Sequence, residues 1–226
     1  MATYAVSDLH GMYDLWVQIK NFLKPKDTLY VLGDCADRGP DGWKMIKEIY
    51  EHPQTVYLMG NHEDMLLDTM RKYNKYGNTR TQEYRLLKNN GGAITFENWL
   101  EEPEEDRQRW YEKLRELPIT AEYVNVNKIT VKMSHAGFTP NRFNNRESLI
   151  WSRSHFSDYF DVDNMVIVHG HTPVEFIDDE FNEGALWYAD DQKVDIDNAA
   201  FHYGRCVVLD LDTFDEHIFK IENFKK

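Results

Sequence analysis

Five times along this chain a strand-like apolar run ends directly in a loop of Asp, His or Asn, and this recurrence constrains the fold more than any other feature. Thr3 to Val6 leads into Ser7-Asp8-Leu9-His10-Gly11, and Thr28 to Leu32 into Gly33-Asp34-Cys35-Ala36-Asp37-Arg38-Gly39-Pro40. Thr55 to Met59 leads into Gly60-Asn61-His62-Glu63. Ile129 to Met133 precedes Ser134-His135-Ala136-Gly137, and Met165 to Val168 precedes His169-Gly170-His171-Thr172-Pro173. Helical patterns alternate with the first three runs: Tyr13 to Leu23, with Leu15, Ile19, Phe22 and Leu23 on its apolar face, then Trp43 to Tyr50, then a helix beginning near Glu63. Such alternation predicts βαβ units in a largely parallel sheet, with chemistry gathered beyond the carboxyl ends of the strands.

The middle of the chain breaks this plan. Asn74 to Thr81 is polar and contains a glycine, and Glu97 to Leu117 is a charged helical stretch interrupted by Pro103. Together they predict a mostly helical cap, inserted at about 64–120 in a single catalytic domain spanning 1–226. The acidic run Glu101, Glu102, Glu104, Glu105 and Asp106 reads as a solvated helix surface. From Ala185 onward, runs such as Val194 to Ile196, Cys206 to Leu211 and His217 to Ile221 predict a second sheet.

Composition narrows the function. A formal charge of −13 argues against nucleic-acid and anionic-membrane partners, which are held by clustered Lys and Arg. An acidic protein that handles phosphate must supply positive charge locally, and bound divalent cations do so while using carboxylates as ligands. No apolar run approaches the ~20 residues that span a bilayer. The polar segment that follows Met1 to Val6 reads as no signal peptide, so the cytoplasm is the expected compartment. Two cysteines, Cys35 and Cys206, make no disulfide framework and no metal-binding pair, and both are expected as inert thiols.

Taken singly, each loop has an ordinary explanation. Asp8 and His10 fit a capped turn, Asp37 and Arg38 a surface turn, and Asn61 with Glu63 a helix start. Five together do not, because capping needs no imidazole and four of the loops carry one. Asp8 and His10, two residues apart before Gly11, can converge on one cation. Asp34 can bridge two cations, and Arg38 can hold phosphate oxygens through its planar fork. Asn61 offers an amide oxygen to a hard cation, beside a histidine able to transfer a proton.

Asp8-x-His10-Gly11, Gly33-Asp34-x-x-Asp37-Arg38-Gly39 and Gly60-Asn61-His62-Glu63, followed by His135 and Gly170-His171, resemble the phosphoprotein phosphatase family of calcineurin-like metallophosphoesterases, particularly its compact bacterial and phage-type members. The resemblance covers roughly residues 3–210 and is weak across the cap. It implies a four-layer α/β/β/α sandwich with a dinuclear metal site at the sheet edges. It assigns Asp8 and His10 to one metal, Asp34 as the bridge, and Asn61, His135 and His171 to the other. His62 becomes the general acid and Asp37 its hydrogen-bond acceptor. Arg38 becomes a phosphate clamp, joined by Arg153 in Leu149-Ile150-Trp151-Ser152-Arg153. His169, off the family pattern, is expected to be structural, as are His52, His155, His202 and His217.

Mixed nitrogen and oxygen ligands suit manganese, iron or zinc, and the resemblance puts Mn2+ first as the cofactor, two ions per chain. Two such cations about 3.5–4 Å apart would share Asp34 and a bridging water whose lowered pKa gives the attacking hydroxide. The expected function is hydrolysis of phosphomonoesters, foremost phosphoserine and phosphothreonine in proteins. Relatives that act on diadenosine tetraphosphate commonly have Ala where this chain has Asp37. The alternative is a dinucleoside polyphosphate or other small phosphoester hydrolase on the same scaffold, and a noncatalytic binding module is a remote third. Neither the oligomeric state nor the physiological substrate is legible from these residues.

Overall fold

The computed structural model describes residues 1–138, 145–153, 156, 161–178, 180, 183–190 and 192–225. Two five-stranded mixed sheets form its centre. The first contains β1 (Thr3–Val6), β2 (Thr28–Val31), β3 (Thr55–Tyr57), β9 (Arg205–Asp210) and β10 (Glu216–Lys220), in the order β10-β9-β1-β2-β3. The second contains β4 (Thr120–Val124), β5 (Thr130–Ser134), β6 (Met165–His169), β7 (Leu186–Tyr188) and β8 (Lys193–Asp195), in the order β4-β5-β6-β8-β7. Parallel triplets β1-β2-β3 and β5-β6-β8 carry the expected crossovers, and the remaining strands pair antiparallel at their flanks.

The strand expected over Cys206 to Leu211 belongs to the first sheet rather than the second. Tyr4 of β1 pairs with Asp210 of β9, and β10 adds outside it. The second sheet instead begins earlier, at β4.

Ala5, Val207 and Leu209 from one sheet meet Val131, Met133, Val168 and Val194 from the other in a fully buried apolar layer. Burying each of the Val, Leu and Met side chains contributes about 1.5–3 kcal/mol. The outer face of the first sheet is covered by α1 (Tyr13–Phe22) and α2 (Gly42–Glu51), through Trp16, Ile19, Trp43 and Ile46. α3 (Asn61–Tyr76), α4 (Gln82–Asn89), α5 (Ala93–Leu100) and α6 (Glu104–Arg115) continue that cluster with Met65, Leu87, Phe96, Trp99 and Trp110. α3 outruns the sequence reading by ending at Tyr76, where Gly77 closes it in the left-handed conformation at φ 67°. Pro103 starts α6, whose first turn carries Glu104, Glu105 and Asp106 and whose last carries Lys113 and Arg115, complementing the helix dipole. The short helices α7 (Arg146–Trp151) and α8 (Ala200–Tyr203) follow the second sheet's strands β5 and β8. Among the described residues no helix is long and apolar enough to cross a membrane.

Candidate metal centre

Packing the two sheets face to face brings the carboxyl ends of β1, β2, β5 and β6, and the start of α3 after β3, to one edge. The loops that reach this edge turn sharply. Asp8, His10, Asp34, Asp37, Arg38 and His171 all have positive φ, between 44° and 74°. Non-glycine residues enter that region at a cost of about 1–3 kcal/mol, and such strain gathers where side chains must be aimed. Glycines leave the room: a Cβ on Gly60 would lie 2.3 Å from Asp34 Oδ1, and one on Gly170 would lie 2.2 Å from Asp8 Oδ2.

Asp34 stands between two donor groups. Its Oδ2 lies 3.7 Å from His10 Nε2 and 3.8 Å from His62 Nε2. Its Oδ1 lies 3.4 Å from His135 Nε2. On the His135 side, Asn61 Oδ1 is 2.9 Å from both His135 Nε2 and His171 Nδ1. On the His10 side, Asp8 Oδ1 is 3.9 Å from His10 Nε2. The other oxygen of Asp8 is occupied, accepting from the Ser7 hydroxyl and from the His171 amide at 2.9 Å. All of these side chains are buried.

The donor chemistry fits divalent cations. Ligand atoms of His10, Asp34 and His62 lie within 4.8 Å of one another, and so do those of Asp34, His135 and His171. The ring nitrogens that face away are held in place: His10 Nδ1 donates to Ala36 O at 3.0 Å and His135 Nδ1 to Leu32 O at 2.9 Å, while His171 Nε2 accepts from Arg153 Nε at 3.3 Å and lies 3.2 Å from Trp151 O. In the neutral rings of His10 and His135 these bonds leave the inward nitrogen as a lone-pair donor, the arrangement that orients metal-binding imidazoles.

His62 is bonded differently. Its Nδ1 donates to Asp37 Oδ2 at 2.8 Å, while Nε2 points into the site, 3.3 Å from Arg38 Nη2. Burial opposes the imidazolium form, but Asp34 and the hydrogen-bonded Asp37 outweigh it and raise the His62 pKa. Burial likewise disfavours a proton on His135, yet Asp34 and Asp8 lift its pKa to about 9. His171, buried and facing His135, is pushed down to about 2. Burial and the nearby Arg38 hold His10 well below the ordinary range as well. Asp34 is driven well below the carboxylate range: burial would raise it, but the His135 and His62 charges prevail.

Arg38 and Arg153 line a cavity of about 160 Å³ together with Asp34, Asn61, His62 and His171. Arg153 Nη2 donates to His171 O at 3.4 Å. The ten residues singled out in the sequence therefore meet at one place. His169 does not join them: its ring bonds Gly170 O and the Tyr188 hydroxyl, beside Asp195, behind the site. His52 and His217 pack against aromatic rings elsewhere, and His155 lies outside the described residues. Cys35 and Cys206 are buried free thiols, each with a raised pKa, as inertness requires.

Two contributors were not found in the sequence. Glu63 read as a first-turn acid, but its buried carboxylate accepts from the amides of Asp34, Cys35, Ala36 and Gly60 at 2.7, 2.9, 3.1 and 3.0 Å. Tyr57 donates to it as well, at 2.8 Å. It thus fixes the loop that carries Asp34. Asn90, directly after α4, lines the arginine cavity, and the adjacent Gly91 carbonyl accepts from Arg38 N at 3.1 Å. The run Asn89-Asn90-Gly91-Gly92 was the available signal, a turn too polar and glycine-rich to be only a helix connection.

The family model described as calcineurin-like phosphoesterase matches residues 1–204. The symmetrical bis(5'-nucleosyl)-tetraphosphatase of Buchnera aphidicola subsp. Acyrthosiphon pisum (strain 5A) is 28% identical over 145 residues, covering 62% of this chain and 46% of that protein. The chain thus spans about half the length of the curated relatives it matches. A crystal structure described as a candidate diadenosine tetraphosphatase superposes with a TM-score of 0.66 at 16% identity, covering 98% of this chain and 94% of that one. A serine/threonine phosphatase from Saccharomyces cerevisiae gives a TM-score of 0.57 at 14% identity, covering 100% of this chain and 81% of that one. At these identities the structural likeness speaks for the fold.

Proposed function

The chain belongs to the calcineurin-like phosphoesterase family, and we propose that it is a dinuclear metal-dependent hydrolase whose first substrates are dinucleoside polyphosphates. The observation that carries the dinuclear reading is Asp34, which offers Oδ2 to His10 and Oδ1 to His135. Asp8, His10 and Asp34 would hold one cation, and Asp34, Asn61, His135 and His171 the other. Bound there, two divalent cations would lower the pKa of a water molecule and neutralise phosphoryl charge.

The chain's own groups do the rest. Arg38 and Arg153 grip the non-bridging oxygens of the phosphoryl group under attack. His62 Nε2 carries the proton that the departing oxygen takes up, and Asp37 holds the ring at Nδ1 so that Nε2 faces the cavity. In the metal-free protein the protonated His135 Nε2 donates to Asn61 Oδ1 at 2.9 Å, which keeps the two groups side by side where a cation would replace that proton.

Support for the substrate class comes from the matched relatives, which are named as symmetrical bis(5'-nucleosyl)-tetraphosphatases. The phosphoserine and phosphothreonine activity expected from the Asp37-Arg38-Gly39 run becomes the second reading. It keeps one specific observation in its favour, the Asp37–His62 bond, since a seryl leaving group needs an acid more than a nucleoside diphosphate does.

Turnover of diadenosine tetraphosphate, phosphoserine peptide and an aryl phosphate, each with Mn2+, Fe2+ and Zn2+, tests both. The proposal expects the highest kcat/KM for the dinucleotide, with two ADP as products. A phosphoserine peptide that outpaces it would establish the second reading instead.

A further inference from the structure

The arginine cavity opens into a larger one of about 490 Å³ that shares Arg38, Asn90, Arg153 and His171 with it. The smaller space accommodates a phosphoryl group. The larger is in the size range of ligand sites, which runs from about 300 to 1,000 Å³, and its walls differ in chemistry. Phe176, Phe201 and His202, the last expected from sequence to be structural, line it together with Asn89 and Asn90.

Phe176 is 73% exposed. It closes the 3-10 turn Val174–Phe176, whose backbone is anchored by Phe176 N donating to Pro173 O at 2.8 Å and Val174 N donating to Asp197 O at 3.0 Å. The ring is therefore held on a fixed backbone without contributing to the core. A single exposed aromatic has no special meaning. Here Phe201, Asn89, Asn90 and the two arginines line the same space, with Asn90 Nδ2 donating to Leu86 O at 2.9 Å and its Oδ1 left to accept. Aromatic faces stack flat bases, and Asn amides pair with the donor and acceptor edge of adenine.

We propose that this cavity is a nucleoside subsite: Phe176 and Phe201 stack the base of a nucleotide whose phosphate lies at Arg38 and Arg153, and Asn89 and Asn90 meet its polar edge. The subsite rests on the reading of the arginine cavity as the phosphoryl site.

Competitive inhibition of aryl phosphate hydrolysis by AMP and by ribose 5-phosphate, which lacks the base, isolates the subsite. The ratio of the two inhibition constants within each protein is the readout. Wild type is expected to prefer AMP by about tenfold or more, the scale of one stacked base. Phe176→Ala and Phe201→Ala should each bring the ratio most of the way to one. Phe201→Leu, which keeps apolar volume without the ring, serves where Phe201→Ala does not fold. A wild-type ratio near one, or a ratio preserved in these variants, overturns the subsite. Diadenosine tetraphosphate turnover is read separately, so an intact AMP preference without that turnover sinks the substrate proposal and leaves the subsite standing.

Discussion

His62 donates through Nδ1 to Oδ2 of Asp37 across 2.8 Å, with both side chains buried. The pair couples the proton on the ring to the charge on the carboxylate. An acid must be protonated to act, so activity falls as pH rises through the His62 pKa. Asp37 helps to raise that pKa. Asp37→Asn should therefore move the alkaline limb of the kcat profile to lower pH, and should lose more activity on phosphoserine peptide than on an aryl phosphate. Unchanged pH limbs with equal losses on both substrates would remove Asp37 from the acid's function.

His135, with a pKa of about 9, is protonated at neutral pH in the metal-free protein. A cation needs the neutral ring, so binding at pH 7 should release a proton and affinity should climb with pH until about 9. One exchanged proton corresponds to about tenfold in affinity per pH unit. Calorimetry of Mn2+ binding in buffers of different ionisation enthalpy measures the release. Affinity flat between pH 7 and 9 would contradict it.

Glu63 accepts from four amides and one phenol at the base of the Asp34 loop. Glu63→Ala leaves those donors buried and unpaired, and should lower stability by about 3–5 kcal/mol, the scale of a broken buried charged network. Urea unfolding of the metal-free protein checks it. A loss below ~1 kcal/mol would mean that water replaces the carboxylate.

Arg38→Ala and Arg153→Ala should each reduce kcat/KM for phosphate esters and weaken inhibition by inorganic phosphate, with metal content retained. A direct grip on the transferring group corresponds to a few kcal/mol, about 30-fold or more in rate. Unaltered phosphate inhibition in Arg153→Ala would take that residue out of the phosphate clamp.

The five strand-end loops were legible because each joins a short apolar run to residue types that a turn alone does not need, as at Val6-Ser7-Asp8-Leu9-His10. What was missed depends on partners distant in sequence. β4 is an edge strand with alternating exposure and a central Glu122, a weak apolar signal. α4 buries only Leu87, too narrow a stripe to show helical periodicity. The transfer of β9 to the first sheet rests on Tyr4 meeting Asp210, which no local pattern encodes. Asn90 follows α4 and Phe176 follows β6, so the cavity they share joins residues far apart in sequence. Glu63 carries no distinguishing signal in the sequence, because a first-turn carboxylate looks alike whether it faces water or another loop's amides.

Metal content and turnover of Asp34→Asn test the dinuclear reading most directly. Wild type should bind two divalent cations per chain. With one carboxylate oxygen toward each donor group, its loss as a charged bridge should weaken both sites and nearly abolish hydrolysis, while the fold persists in circular dichroism. An Asp34→Asn protein that keeps two metals and near-normal turnover would contradict the shared-carboxylate site.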